Sequence, residues 1–173
     1  MSTTSLERTR TRLPAAQTVP VSILDDNALK PLAGQFDVVL VAAVLHHLVA
    51  PTRRRSLADA GHGLRNAVSL AKPDGLLVIL EPVFQPRAVC SGLFWAKRAV
   101  TRFTDDRLPV FGYWNNLGAP VVSFYSADQV RRMVVTAGAR IVAERIDHEP
   151  LGYADHIIRK SNLSIIAQKP GRC

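Results

Sequence analysis

Two short apolar runs separated by one helix-length amphipathic segment constrain this chain more than anything else in it. Phe36 to Val41 is a nearly unbroken run rich in β-branched residues and too short for a helix. It reads as a central strand covered on both faces. Thr52 offers an N-cap, after which Leu57, Ala60, Leu64, Ala67, Val68 and Ala71 recur at helical spacing, with Arg55, Asp59, His62, Asn66 and Ser69 opposite them. Lys72-Pro73-Asp74-Gly75 then stops the helix and forms a tight turn, with proline second and glycine fourth, before Leu76 to Leu80 runs as another buried strand. The expected unit is parallel βαβ.

The motifs within this stretch are Phe36-Asp37-Val38-Val39, Val44-Leu45-His46-His47-Leu48, Ala71-Lys72-Pro73-Asp74-Gly75 and Ile79-Leu80-Glu81-Pro82. In this order and spacing the chain resembles the class I S-adenosylmethionine-dependent methyltransferases, whose pattern is F-D-V-V, V-L-H-H-L, a helix, L-K-P-G-G and a strand ending E-P. Two positions depart, Ala71 for the leucine and Asp74 for the first glycine. The resemblance implies a Rossmann-like α/β sheet, mostly parallel with a C-terminal antiparallel hairpin, and S-adenosylmethionine as cofactor. It also implies cofactor contacts at Asp25, Asp26, Ala42 and Ala43. Asp25 stands four before Leu29, matching an aspartate that accepts from the adenine amino group. An Asx turn closing a strand accounts for Asp25 equally well.

The family's glycine-rich turn and ribose-binding acid have no counterpart here. The first glycine is Gly34, and the 17 residues before Thr18 are too few for a strand, a helix and another strand. The resemblance thus starts at the family's third strand, matched to Thr18–Leu24, and covers the C-terminal two-thirds of the domain, an N-terminally truncated sheet. In the family's order, 3-2-1-4-5-7-6, the strand missing beside Phe36–Val41 leaves an open edge, a pairing hazard. Three arrangements would close it: Thr18–Leu24 slides over and pairs, another chain covers it, or the chain is a truncated gene product. Pairing by Thr18–Leu24 is the most economical expectation.

His46 and His47 fall just past the carboxyl end of the first strand, where open α/β sheets place their ligands. His47 is a candidate general base toward an acceptor hydroxyl or amine, against a structural role in shaping the pocket. Glu81, ending the next strand, either lines the substrate pocket with a catalytic role or caps the following turn. Aromatic residues concentrate between Phe84 and Tyr125. Residues 83–125 are therefore expected to form a lid, with Leu93–Phe103 helical and with His46, Phe84, Trp95, Tyr113 and Trp114 as substrate contacts. A packed cover or a surface for a second subunit is the alternative. The implied acceptor is small and apolar or aromatic.

In the tail, Ser126-Ala127-Asp128-Gln129 matches a capping box opening a helix that Gly138 stops. Arg140–Ile146 and Asn162–Lys169 read as a hairpin. The acids and histidines between them, Asp147, His148, Glu149, Asp155 and His156, have no metal-ligand spacing and read as a solvated loop. The net charge is +8, and its arginines are scattered rather than gathered on one element with exposed aromatics. That pattern favours a solvated basic surface over a nucleic-acid or acidic-lipid site. Cys90 and Cys173 form no CxxC, and no apolar run approaches the roughly 20 residues of a membrane span. A reducing cytoplasm fits.

Residues 1–17, basic and without an apolar core, are expected to be a disordered leader rather than a transit peptide, and 18–173 a single incomplete domain. Two functions follow. One is a methyltransferase, or a fragment of one, acting on a small molecule. The other is a non-catalytic methyltransferase-like module that binds a protein partner or itself at the open strand edge.

Overall fold

The structure, a computed structural model, describes residues 7, 11–103, 122–150 and 158–171. Of the expected leader, Glu7, Thr11 and Arg12 are helical, with the Thr11 hydroxyl donating to the Glu7 carbonyl (3.0 Å). A short helix α1 (Asp26–Leu29) runs into a 3₁₀ turn at Lys30–Leu32. Strand β1 (Phe36–Ala42), helix α2 (Arg53–Leu70) and strand β2 (Ala71–Gln85) follow, and β1 pairs with β2 in parallel. Helix α3 (Arg87–Phe103), helix α4 (Ala127–Thr136) and strands β3 (Arg140–Glu149) and β4 (Arg159–Gln168) complete the described elements. The sheet order is β1-β2-β4-β3, with one parallel and two antiparallel pairings.

Local chemistry sets these boundaries. Thr52 caps α2 by accepting from the Arg55 N–H (3.2 Å). At the other end, Lys169 Nζ donates to the Ala71 (2.7 Å) and Ser69 (3.3 Å) carbonyls, placing positive charge at the negative end of the helix dipole. The α4 capping box forms as the sequence suggests, between Ser126 and Gln129. Asp74, which stands where the family pattern has a glycine, lies near the start of β2 and has φ +62°, in the left-handed region that favours glycine. Gly75 cannot be replaced without shifts, because a Cβ there would lie 2.9 Å from the Lys72 carbonyl oxygen and 3.2 Å from that of Asp37.

Helices α2 and α4 cover one face of the sheet. Ala60, Leu64, Ala67, Val130 and Val134 pack there on Leu77, Ile79, Leu163, Ile165 and Ala167. Each large aliphatic side chain so buried contributes about 1.5–3 kcal/mol. The opposite face is largely uncovered: Val38 is 55% and Leu40 62% exposed, and Phe36, Leu80 and Ile166 are exposed beside them. Register places Leu40 beside Val78, and Val78 beside Ile166, so these apolar side chains form one continuous patch.

Several expectations are corrected. Thr18–Leu24 is not a strand; it is irregular and ends in a turn, with Pro20 and the Ser22 side-chain bond to the Leu24 N–H (3.2 Å) favouring that geometry. Among the described residues β1 pairs only with β2, so its outer edge is not closed by that segment. Strand β2 runs on to Gln85, because β4 pairs with it along its whole second half, so 83–85 belong to the sheet and not to a lid. Helix α3 begins at Arg87 rather than Leu93. Asp147, His148 and Glu149 lie on β3, not in a loop: Asp147 pairs with Arg145 (2.8 Å) and Glu149 with Lys160 (2.7 Å). Asp155 and His156 lie outside the described residues. Among those described, no three metal-ligating side chains gather, and no helix is long and apolar enough to cross a membrane.

Asp74→Gly is expected to raise stability by about 0.5–1 kcal/mol, because it relieves a left-handed L-residue. An unchanged or lower urea midpoint would contradict the backbone conformation described. Leu40→Lys is expected to shift the chain toward monomer in sedimentation velocity while leaving stability within about 0.5 kcal/mol of the parent. Equal self-association of the two proteins would show that the patch is not sticky.

Candidate functional site

The carboxyl ends of β1 and β2 meet at one buried carboxylate. β1 ends in Ala42, and Ala43 then takes a left-handed conformation (φ +53°) while its N–H donates to the Leu80 carbonyl (2.7 Å). A non-glycine residue held this way at a strand end is the kind of strain that collects at functional sites. The 3₁₀ turn Leu45–His47 follows without a side-chain cap of its own. Glu81, only 2% exposed, supplies the cap from the neighbouring strand. Its carboxylate accepts from the Leu45 (3.3 Å) and His46 (3.0 Å) N–H groups and meets His46 Nδ1 at 2.6 Å. The side chain is thus engaged in holding the preceding turn, rather than capping a following one.

His46 is buried, and its ring lies 4.1 Å from that of His47 and 5.8 Å from that of Phe124. His47 faces outward at the rim. Its pKa lies below the ordinary histidine value, chiefly because part of the ring is desolvated, with His46 and Lys97 adding to the effect and Glu81 opposing it. The neutral, proton-accepting form is therefore favoured.

The segment 122–125 takes over beside β2 where β1 stops. The Ser123 N–H donates to the His46 carbonyl (2.8 Å), the Phe84 N–H donates to the Tyr125 carbonyl (3.0 Å), and Val83 bridges to Tyr125 in parallel. Tyr125 is fully buried and its hydroxyl donates to the Ser56 carbonyl (3.2 Å), so it belongs to the core, not to a lid. Arg53 stacks over this ring at 4.9 Å and donates to the Ser123 hydroxyl (2.5 Å). Arg54 and Arg55 are exposed, whereas Arg53 fastens 122–125 to α2.

The other expected residues are placed unevenly. Phe84 is buried and packs on Phe124 at 4.5 Å, close to His46. Trp95 is 52% exposed and stands edge-on to Phe94 at 5.1 Å. Asp25 caps α1 by accepting from the Ala28 N–H (3.1 Å). Asp26 is committed to α2, meeting His62 Nε2 (2.6 Å) and the Asn66 amide (2.7 Å), which hold its carboxyl below the usual aspartate value. Ala42 and Ala43 sit exposed at the strand end. Tyr113 and Trp114 lie outside the described residues.

One residue was missed. Lys97 is 3% exposed, and its ammonium lies 5.8 Å from the centroid of the Phe124 ring. Its signal was in the sequence: Cys90, Phe94 and Lys97 recur at helical spacing, so a lysine occupies the apolar stripe of α3.

No protein-family model matches the sequence, and no curated protein matches it. Solved structures do. An S-adenosylmethionine-dependent methyltransferase from Methanosarcina mazei superposes with a TM-score of 0.53 at 14% identity, over 81% of this chain and 62% of that one. The N-methyltransferase NodS from Bradyrhizobium japonicum, solved with S-adenosyl-L-homocysteine, gives 0.53 at 16% identity over 98% of this chain and 63% of its own. The 4+2 cyclase SpnF gives 0.57 at 14% identity over 98% and 61%. The chain thus spans about three-fifths of these relatives' lengths. The order β1-β2-β4-β3 is the 4-5-7-6 part of the order that the resemblance implies, and with these superpositions the chain has the class I S-adenosylmethionine-dependent methyltransferase fold.

Proposed function

We propose that this chain forms the acceptor-side half of a methyltransferase acting on a small apolar or aromatic molecule. The observation that carries this reading is the cluster at the carboxyl ends of the parallel pair, where a left-handed Ala43, the buried Glu81–His46 contact and an outward-facing His47 meet. His47 is the general base, taking the proton from the acceptor's nucleophilic atom. Glu81 acts as a positioning residue, and His46 and Phe84 wall the acceptor side, with Trp95, Tyr113 and Trp114 as further contacts.

Asp25, Asp26, Ala42 and Ala43 are assigned to the adenine side of S-adenosylmethionine. The fit is partial. Ala42 and Ala43 leave the strand end open with small side chains, and the exposed Asp25 uses its Oδ1 in the helix cap. Asp26 is already bonded to His62 and Asn66. The described residues contain no glycine-rich turn for the ribose and methionine end. When bound, the cofactor supplies the electrophilic methyl group, and the strand ends serve to align the acceptor with it. A complementing chain or second copy at the β1 edge would complete the sheet. No nucleic-acid partner is proposed, and the buried free thiol of Cys90 suits a reducing, cytoplasmic setting.

A second reading, a non-catalytic module that binds a protein partner or itself, is favoured by the open β1 edge and the exposed Val38 and Leu40. A neighbour described as a cyclase also cautions that this fold does not by itself select methyl transfer.

Calorimetry with S-adenosyl-L-homocysteine separates the readings: 1:1 binding supports the transferase, and no heat at millimolar ligand leaves the module. In proton NMR, His47 is expected to titrate below the ordinary histidine value; a midpoint at or above it would remove the case for a base kept neutral. Glu81→Gln is expected to cost about 1–3 kcal/mol in chemical denaturation, through loss of the charged acceptor at the turn. A cost near zero would mean that the turn does not depend on Glu81.

A further inference from the structure

Lys97 is an expensive residue that the fold does not explain. It sits on the buried stripe of α3 with Phe94 one turn before it, and its ammonium has no hydrogen-bond partner among the described residues. Burial alone pushes its pKa below the usual lysine value. The buried carboxylate of Glu81 is taken up by Leu45 and His46. The adjacent Arg98 is also engaged, donating to the Ala50 carbonyl (3.1 Å). An unpaired charge in such a place is strongly disfavoured unless something else completes it.

The surroundings indicate what would complete it. The half-buried Phe124 ring has the Lys97 ammonium over it at 5.8 Å and packs against His46 and Phe84, so the corner is aromatic. His47 is exposed at the rim, and the Lys97 charge helps to lower its pKa. Among the described residues Lys97 is the buried cation without a hydrogen-bond partner, and a lysine suits a singly charged group; a phosphate would call for the bidentate fork of an arginine.

We propose that Lys97 anchors an anion subsite, in which a carboxylate on the bound molecule pairs with the Lys97 ammonium while its planar apolar body rests against Phe124. The proposal deepens the transferase reading by making the acceptor an aromatic or similarly flat carboxylic acid, and it rests on that reading only for the word acceptor.

The test uses the full chain labelled with carbon-13 at lysine, titrated with benzoate and with its neutral counterpart benzamide. Benzoate is expected to bind about tenfold more tightly or better, as for a hydrogen bond to a charged group, and to shift the Lys97 resonance. Lys97→Met is expected to bind both probes equally and to melt at a higher temperature than the parent, since an apolar chain of similar shape replaces an unpaired amine. Should that variant fail to fold, Lys97→Gln serves in its place. Equal affinities in the parent, no benzoate binding at millimolar concentration, or a preference that survives the substitution would overturn the proposal. The titration contains no S-adenosyl compound, so its outcome stands apart from the calorimetry that tests the transferase.

Discussion

The contact on which the rest depends is the buried carboxylate of Glu81. A parallel strand pair leaves its two carboxyl ends side by side, and the chain leaving the first must turn at once toward a crossover helix. That turn exposes N–H groups that no local side chain satisfies. Glu81 reaches across from β2 and takes them, which fixes the turn, orients His46 and leaves His47 at the rim. Without an acceptor there, the buried donors would favour a different path for 43–48. The strained Ala43 and the placement of 122–125 on the His46 carbonyl follow from the same geometry.

Much of this was legible in the residues. The βαβ unit rests on local signals, a β-branched run, an N-cap threonine and a proline-containing stop, and each formed. The capping box at Ser126 is equally local. The role of Glu81 was not legible, because a strand-end acid carries no mark of which backbone it will meet across the sheet. Thr18–Leu24 misled for a related reason: its composition suits a strand, but strand formation is decided by a partner, and no described segment offers one. Lys97 was overlooked because attention to charge clusters discounts a single lysine, although its position on the stripe of α3 was visible. Aromatic density suggested a cover, yet Tyr125 and Phe94 proved to be core; hydrophobic content cannot say which side of a helix or strand faces in.

The two faces of the sheet differ in kind. One is sealed by α2 and α4, while the other presents aliphatic side chains to solvent across three strands. Arg131 reinforces the sealed side by bridging α4 to Glu144 on β3, with a second contact to Asp128. Energetically the described fold is thus lopsided: its hydrophobic stabilisation is drawn from one layer, and what the second layer would add depends on what covers it.

The strand order has a consequence for how the molecule assembles. β4, the most C-terminal of the described strands, lies between β2 and β3, so the one pairing without it, β1 with β2, leaves β3 unattached. Until β4 arrives, β3 has no partner and β2 has only β1. Contacts such as Asp74 with Lys169 join positions far apart in the chain, and closing them late makes the folding reaction slow and nonlocal. During synthesis, the nascent sheet stays divided until its keystone strand emerges from the ribosome, and a chain halted just short of residue 159 would hold the β1–β2 pair and a stranded β3 instead of one sheet.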